Sequence, residues 1–212
     1  MQFQQDRPAA KDLRPINVTL SEMAHECIEN KMMQRLFGSG LAIVAFFVPL
    51  LPAVASSNIA LSRAGHVVVD PSLPKAQADA QILAALRYDT FWNTGDPALA
   101  KLALAPDFTD RTLPSGRVQG ISGALAASAT VRQAVPDLTC EIEQMLVVGD
   151  RVVTHLHFHG HFTGHFVETQ GRGQSIDFVA TDIYRIAKGR IHDNWHIEDT
   201  LTFLRQLGVV AK

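Results

Sequence analysis

Residues 174–197 read QSIDFVATDIYRIAKGRIHDNWHI, and the phase of their alternation decides the fold. In the first half Ile176, Phe178, Ala180, Tyr184 and Ile186 fall on every second position, the period of a half-buried strand, with Asp182 set among them. In the second half Arg190, His192, Asn194 and His196 share one face and Ile191, Trp195 and Ile197 the other. Ala187-Lys188-Gly189 between them reads as a three-residue hairpin loop with glycine in the left-handed position. The spacing therefore predicts antiparallel strands over Gln174–Ile186 and Arg190–Ile197. Working outward, Leu138, Cys140 and Ile142 alternate with Thr139, Glu141 and Glu143 up to a Gly149-Asp150 turn, and Arg151–Phe162 continues the pattern. A helix over Thr200–Leu207 stops at Gly208.

Upstream the period becomes helical. Ile82, Leu83, Leu86, Thr90 and Phe91 mark a helix over Lys75–Asn93 that ends at Asn93-Thr94-Gly95. Asp96-Pro97 starts a short helix, aspartate as cap and proline at the first helical position, which Pro106 closes. A third helix covers about Ile121 to Ala134, ended by Pro136. Helices followed by four strands with hairpin-sized gaps argue for an α+β fold, an antiparallel sheet with helices on one face.

The first quarter of the 212 residues reads differently. Leu41–Leu51 is an uncharged apolar run preceded by Lys31 and Arg35 and followed by Ala53-Val54-Ala55-Ser56, the order of a secretory leader with a small-residue cleavage site. A membrane anchor would need about 20 apolar residues, and Gly38, Gly40, Pro49 and Pro52 interrupt this stretch. Met32 and Met33 precede Gln34-Arg35, so residues 1–31 read as an upstream extension, 32–55 as a signal peptide, 56–74 as a linker and 75–212 as the domain. The expectation is a periplasmic or secreted protein with no stable membrane insertion after cleavage. A formal net charge of −2 supplies no basic surplus for a phosphate backbone, which excludes nucleic acid as a partner. Cys27 and Cys140 are too few for a disulfide framework.

Charges inside strands carry the functional signal, because an unpaired buried charge costs several kcal/mol. In the three-residue-loop register Asp182 pairs with Asn194, and His196 is a diagonal neighbour on the same face. A two- or four-residue loop would put them on opposite faces. An aspartate beside a histidine can fix the tautomer and tune the ring as a general base near neutral pH; a structural ion pair is the plainer reading. His155, His157, His159 and His161 also alternate along one strand, with His165 just beyond. Histidines one residue apart can chelate zinc with a third ligand from Asp110, Asp182 or His196. The row spans about 20 Å, however, too far for one ion, so a polar pocket wall or a solvated face is favoured and no metal is assigned. Trp92, Phe91, Phe162, Phe166, Phe178 and Tyr184 are candidates to line an apolar cavity. Arg185, Glu198 and Asp199 read as exposed charge and helix capping.

Several segments together resemble a known family. Phe91-Trp92-Asn93-Thr94-Gly95-Asp96, then Asp107-Phe108 with Gly116 and Gly120, and then Asp182–Ile186, Gly189-Arg190-Ile191, Asn194-Trp195-His196 and Leu204–Gly208 are similar, in order and spacing, to the SnoaL-like polyketide cyclases or predicted ester cyclases. The resemblance covers Lys75–Gly208. It implies a cone-like curved sheet of the nuclear transport factor two superfamily, packed against N-terminal helices, enclosing an apolar pocket and often dimeric. It also implies cofactor-free acid/base chemistry, proton removal alpha to a carbonyl followed by aldol-type ring closure, or a related lyase or isomerase reaction, on a small hydrophobic carbonyl compound. In those cyclases the acid/base carboxylate falls at the position of His196 and a histidine at that of Asp182, so the pair stands exchanged here. The expected catalytic residues are His196 as base and Asp182 as its orienting partner, with Trp92, Asp110, Phe162, Tyr184 and Asn194 contacting substrate. A non-catalytic periplasmic binding module and a histidine-row metal-dependent hydrolase are the alternatives.

Overall fold

A computed structural model describes residues 60–211, so the upstream extension read at 1–31 and the leader read at 32–55 lie outside the described residues. The strands are β1 (Ala64–Val69), β2 (Leu104–Asp110), β3 (Thr139–Val148), β4 (Arg151–Phe162), β5 (His165–Phe166), β6 (Thr169–Gln170), β7 (Gln174–Ala187) and β8 (Arg190–Glu198). The helices are α1 (Lys75–Thr94), α2 (Pro97–Ala103), α3 (Ile121–Ala134) and α4 (Thr200–Leu207). The main sheet has the order β1-β3-β4-β7-β8-β2. Its four central strands form an antiparallel meander, and each edge is closed by a parallel strand, β1 on β3 and β2 on β8. The α+β class stands, with the sheet mixed at its margins. Among the described residues no helix is long and apolar enough to cross a membrane.

Two edge strands depart from the sequence reading. Residues 56–74 were expected as a linker, yet Ala64–Val69 pairs with Ile142–Val147, and Leu61, Val67 and Leu73 pack against the core. The short helix ends at Ala103 rather than at Pro106, and the chain continues as β2. Pro106 fits there because an edge strand can do without one donor.

Helix α1 lies against the concave face. Its buried stripe is Ala78, Gln81, Ala84, Ala85, Tyr88, Asp89, Thr90 and Phe91, while Ile82, Leu83 and Leu86 are only half-buried. The alanines let the helix axis approach the sheet closely, which brings Tyr88 and Asp89 over the middle strands. Gly95 ends α1 as expected, with a left-handed φ of 76° and its N–H donating to the Phe91 carbonyl. Tyr88, Phe91, Trp92, Phe108, Phe158 and Phe178 form the aromatic heart of the core.

The β7–β8 turn is two residues long, Lys188-Gly189, closed by the pair Ala187 and Arg190, with both φ angles positive at 51° and 69°. Such a turn alone would set the two strands one residue out of the expected phase. The ladder shifts again between Arg185 and Ile186, where His192 is an additional residue on β8. This bulge returns Asn194 and His196 to the face of Asp182 and Tyr184, but two residues along: Asp182 faces His196 directly and Tyr184 faces Asn194. The convex face is divided. At one end Leu146, Val148 and Ile183 are exposed and Arg151 lies over the Trp195 ring; at the other runs the histidine row.

Candidate functional site

The concave face of β7 and β8 gathers the acidic and basic groups of the core. Asp182 is 6% exposed in the middle of β7, where Ala180 and Tyr184 flank it. The Asn194 side-chain amide donates to its Oδ1 at 2.6 Å. Opposite it, His196 is held at both ring nitrogens: Nδ1 is 2.8 Å from Glu198 Oε1, and Nε2 is 3.0 and 3.1 Å from the two Asp110 oxygens. Strand β2 places Asp110 there through its parallel pairing with Asn194, reinforced by the Arg111 N–H donating to the Asn194 carbonyl and the His196 N–H donating to Thr112 Oγ1. The His196 and Asp110 side chains are 8% and 11% exposed, so the pair is largely shielded from solvent screening.

This arrangement corrects the expected dyad. Asp182 and His196 share a face and stand directly opposite, but the hydrogen bonds of His196 go to Asp110 and Glu198, and that of Asp182 to Asn194. A neutral imidazole has one N–H, whereas two carboxylate acceptors require two. His196 is therefore an imidazolium, with no free nitrogen to accept a proton. Burial opposes its charge, but Glu198, Asp110 and Asp182 outweigh that and push the ring up to about 9. Burial pushes Asp182 up to about 7, only partly offset by the Asn194 amide and the His196 charge, with Glu198 and Asp110 adding repulsion. Of the two residues, the carboxylate is the one poised to exchange a proton near neutrality.

Behind this pair lies a second buried group. Tyr184 Oη donates to Asp89 Oδ1 at 2.6 Å and accepts from Thr154 Oγ1 at 3.2 Å. Burial, eased by the Tyr184 hydroxyl, and the neighbouring Asp182 charge hold Asp89 well above the ordinary carboxylate range. Asn194 Oδ1 and Asp89 Oδ2 are buried without a hydrogen-bond partner among the described residues.

The sequence-derived residues thus separate. Asp182, Asn194, His196 and Asp110 come together, with Tyr184 one layer deeper. Trp92 packs edge-on against Tyr88 and Phe158, at ring-centroid distances of 6.2 and 6.3 Å, as part of the aromatic core. Phe162 is fully buried and pairs with Gln174, eight residues along the ladder from the Thr154–Asp182 pair, or about 25 Å at strand rise. Its side chain is part of the hydrophobic core. Glu198 was read as exposed charge; it is half-buried and holds His196. Only Asp199 caps α4, accepting from the Thr202 N–H. Arg185 is likewise not free, because it and Arg111 both engage the buried Asp193. A groove of about 750 Å³ lies elsewhere, lined by Ser62, Arg63, Asn93, Cys140 and Glu143 among others, and none of the site residues borders it.

The curved sheet with its helices on the concave side is a fold of the nuclear transport factor two type. The family model described as SnoaL-like polyketide cyclase matches residues 82–207, and the chain belongs to that family. A candidate polyketide cyclase from Bacillus cereus ATCC 10987 is 38% identical, over 71% of this chain and 95% of that one, with a TM-score of 0.66. TsrD from Streptomyces laurentii is 25% identical over 65% and 99% of the two chains, with a TM-score of 0.55. IdmH from Streptomyces antibioticus, a candidate polyketide cyclase, shares the fold at 23% identity over 60% and 98%, with a TM-score of 0.54. No curated protein matches the chain.

Proposed function

We propose that this protein is a cofactor-independent acid/base catalyst that removes a proton alpha to a carbonyl of a small hydrophobic molecule, the step that opens an aldol-type cyclisation or a related lyase or isomerase reaction. One observation carries the reading: a buried, amide-bonded Asp182 stands opposite an imidazolium fixed by two carboxylates. Asp182 accepts the carbon-bound proton. The positive charge of His196 then stabilises the enolate that forms beside it, and the unpaired Asn194 Oδ1 is an acceptor for a substrate hydroxyl. The protein acts after export, in the periplasm or outside the cell, as a homodimer joined across the apolar half of the convex face.

Deuterium exchange at the alpha carbon of 2-tetralone, a hydrophobic ketone, tests the chemistry by mass spectrometry. Wild-type protein should exchange the label well above the buffer rate, and Asp182→Asn should lose about 100-fold or more of that rate with its circular dichroism unchanged. Equal exchange by the variant would remove Asp182 from the mechanism. Saturable binding of the ketone without exchange would favour the non-catalytic binding module.

A further inference from the structure

The convex face carries a second cluster, separate from the acid/base site. Leu156, Phe158 and Phe162 of β4 take the core side, so His155, His157, His159 and His161 project outward. β7 supplies Asp177 directly opposite His159. β3 supplies Glu143 through a bulge: the β3–β4 register shifts between Ile142 and Gln144, which makes Glu143 an additional residue and turns it to the histidine face. His157 Nε2 lies 2.8 Å from Asp177 Oδ1, and its Nδ1 lies 3.1 Å from Glu143 Oε1. His159 Nδ1 is 4.0 Å from Asp177 Oδ2, and the two imidazole centroids are 3.9 Å apart. One ligand atom from each of His157, His159 and Asp177 lies within 4.8 Å of the others.

We propose that His157, His159 and Asp177 form a binding site for a divalent zinc-class ion on the convex face, with Glu143 as the residue that orients His157. Tetrahedral bonds of about 2.0–2.2 Å put donor atoms about 3.3 Å apart, so small side-chain rotations close the trio around an ion. Two imidazoles and one carboxylate suit zinc, nickel or copper, whereas calcium and magnesium call for oxygen ligands. The fourth position is open to water. A ligating imidazole characteristically gives its other ring N–H to a carboxylate, the position Glu143 occupies. The length of the row, which argues against one ion held by all four histidines, does not bear on a site made from two of them and a neighbouring strand. His161 stands apart, paired through Nδ1 with Asp137 at 2.7 Å. Because its three ligands come from β4 and β7 and its orienting carboxylate from β3, the ion would clamp three adjacent strands.

The test uses full-length, tag-free protein stripped with EDTA and dialysed. Titration with zinc sulfate by calorimetry should show one ion per chain at micromolar affinity, and zinc should raise the thermal midpoint. His159→Ala and Asp177→Ala should weaken binding at least 30-fold, and His161→Ala should leave it unchanged. Cobalt(II) provides a second readout, an intense visible band of tetrahedral coordination that disappears in His159→Ala. Equal zinc affinity in His159→Ala, an equal loss in His161→Ala, or calcium binding as tightly as zinc would each overturn the site.

Discussion

At the scale of single residues the site is a competition among charges for one proton. In the proposed mechanism Asp182 acts ionised and His196 assists charged, so kcat/KM should rise as pH passes about 7 and fall as it passes about 9. Glu198→Gln removes a carboxylate from His196 and should move the alkaline limb to lower pH, while Asp182→Asn abolishes the profile. Stability follows the same groups. The His196 pKa rises from 6.5 unfolded to about 9 folded, so its contribution is complete below pH 6.5 and lost as pH climbs through 9. Urea unfolding at pH 6 and pH 9.5 should differ by about 2–3 kcal/mol from His196, and His196→Gln should shrink the difference to what Asp182 adds as its raised carboxyl ionises through about pH 7. Deeper in, Tyr184→Phe strips Asp89 of its hydroxyl donor and should cost about 1–3 kcal/mol. Asp182, Asn194 and His196 were legible because ionisable or amide groups in strand phase stand out from apolar neighbours, whereas Asp110 was a candidate by residue type alone, its strand β2 carrying no such signal. Glu198 continues the same alternation two residues beyond His196, but its place before a helix disguised it as a cap. Asp89 sits on a stripe where alanine, rather than leucine, marks the buried side, so the usual apolar signal pointed to the wrong face.

At the scale of elements, local signals gave accurate results where the partner is near in sequence. Helix α3, strand β4 and helix α4 fall at the boundaries the pattern predicts, and β7 and β8 differ from it by one residue at their ends. Strands β1 and β2 were missed because each is a short edge element whose parallel partner lies far along the chain, and parallel pairing leaves no turn signature nearby. Register was the harder quantity. The loop was read one residue too long, and the bulge at His192 compensated, so the right residues share a face by a different route. Lys188 carries a left-handed φ of 51° that its side chain tolerates poorly. Lys188→Asn, which makes the preferred Asn-Gly turn, should raise stability by about 0.5–1 kcal/mol, measurable as an increase in the urea midpoint.

At the scale of the whole molecule the sheet separates two surfaces of different chemistry, a concave one with buried ionisable groups and a convex one with the histidine row and an apolar patch. The apolar end of the convex face, with Leu146, Val148 and Ile183 exposed at 41%, 58% and 39%, is the surface proposed above to join two copies. Sedimentation at rising concentration should show a dimer that Ile183→Asp returns to monomer while leaving 2-tetralone exchange in place. Strand β7 serves both sides at once: its even-numbered residues from Ile176 to Ile186 face the core and the acid/base site, and its odd-numbered residues, Asp177 among them, face the histidine row and the apolar patch. Mutational tolerance should therefore be lowest along this strand. A library varied across β7 and selected for turnover alone would hold the even positions fixed and let the odd ones drift. The same library selected for assembly or zinc retention would hold the odd positions as well, because the even ones still carry the core, so one strand would record whether natural selection has guarded its outer face as closely as its inner one.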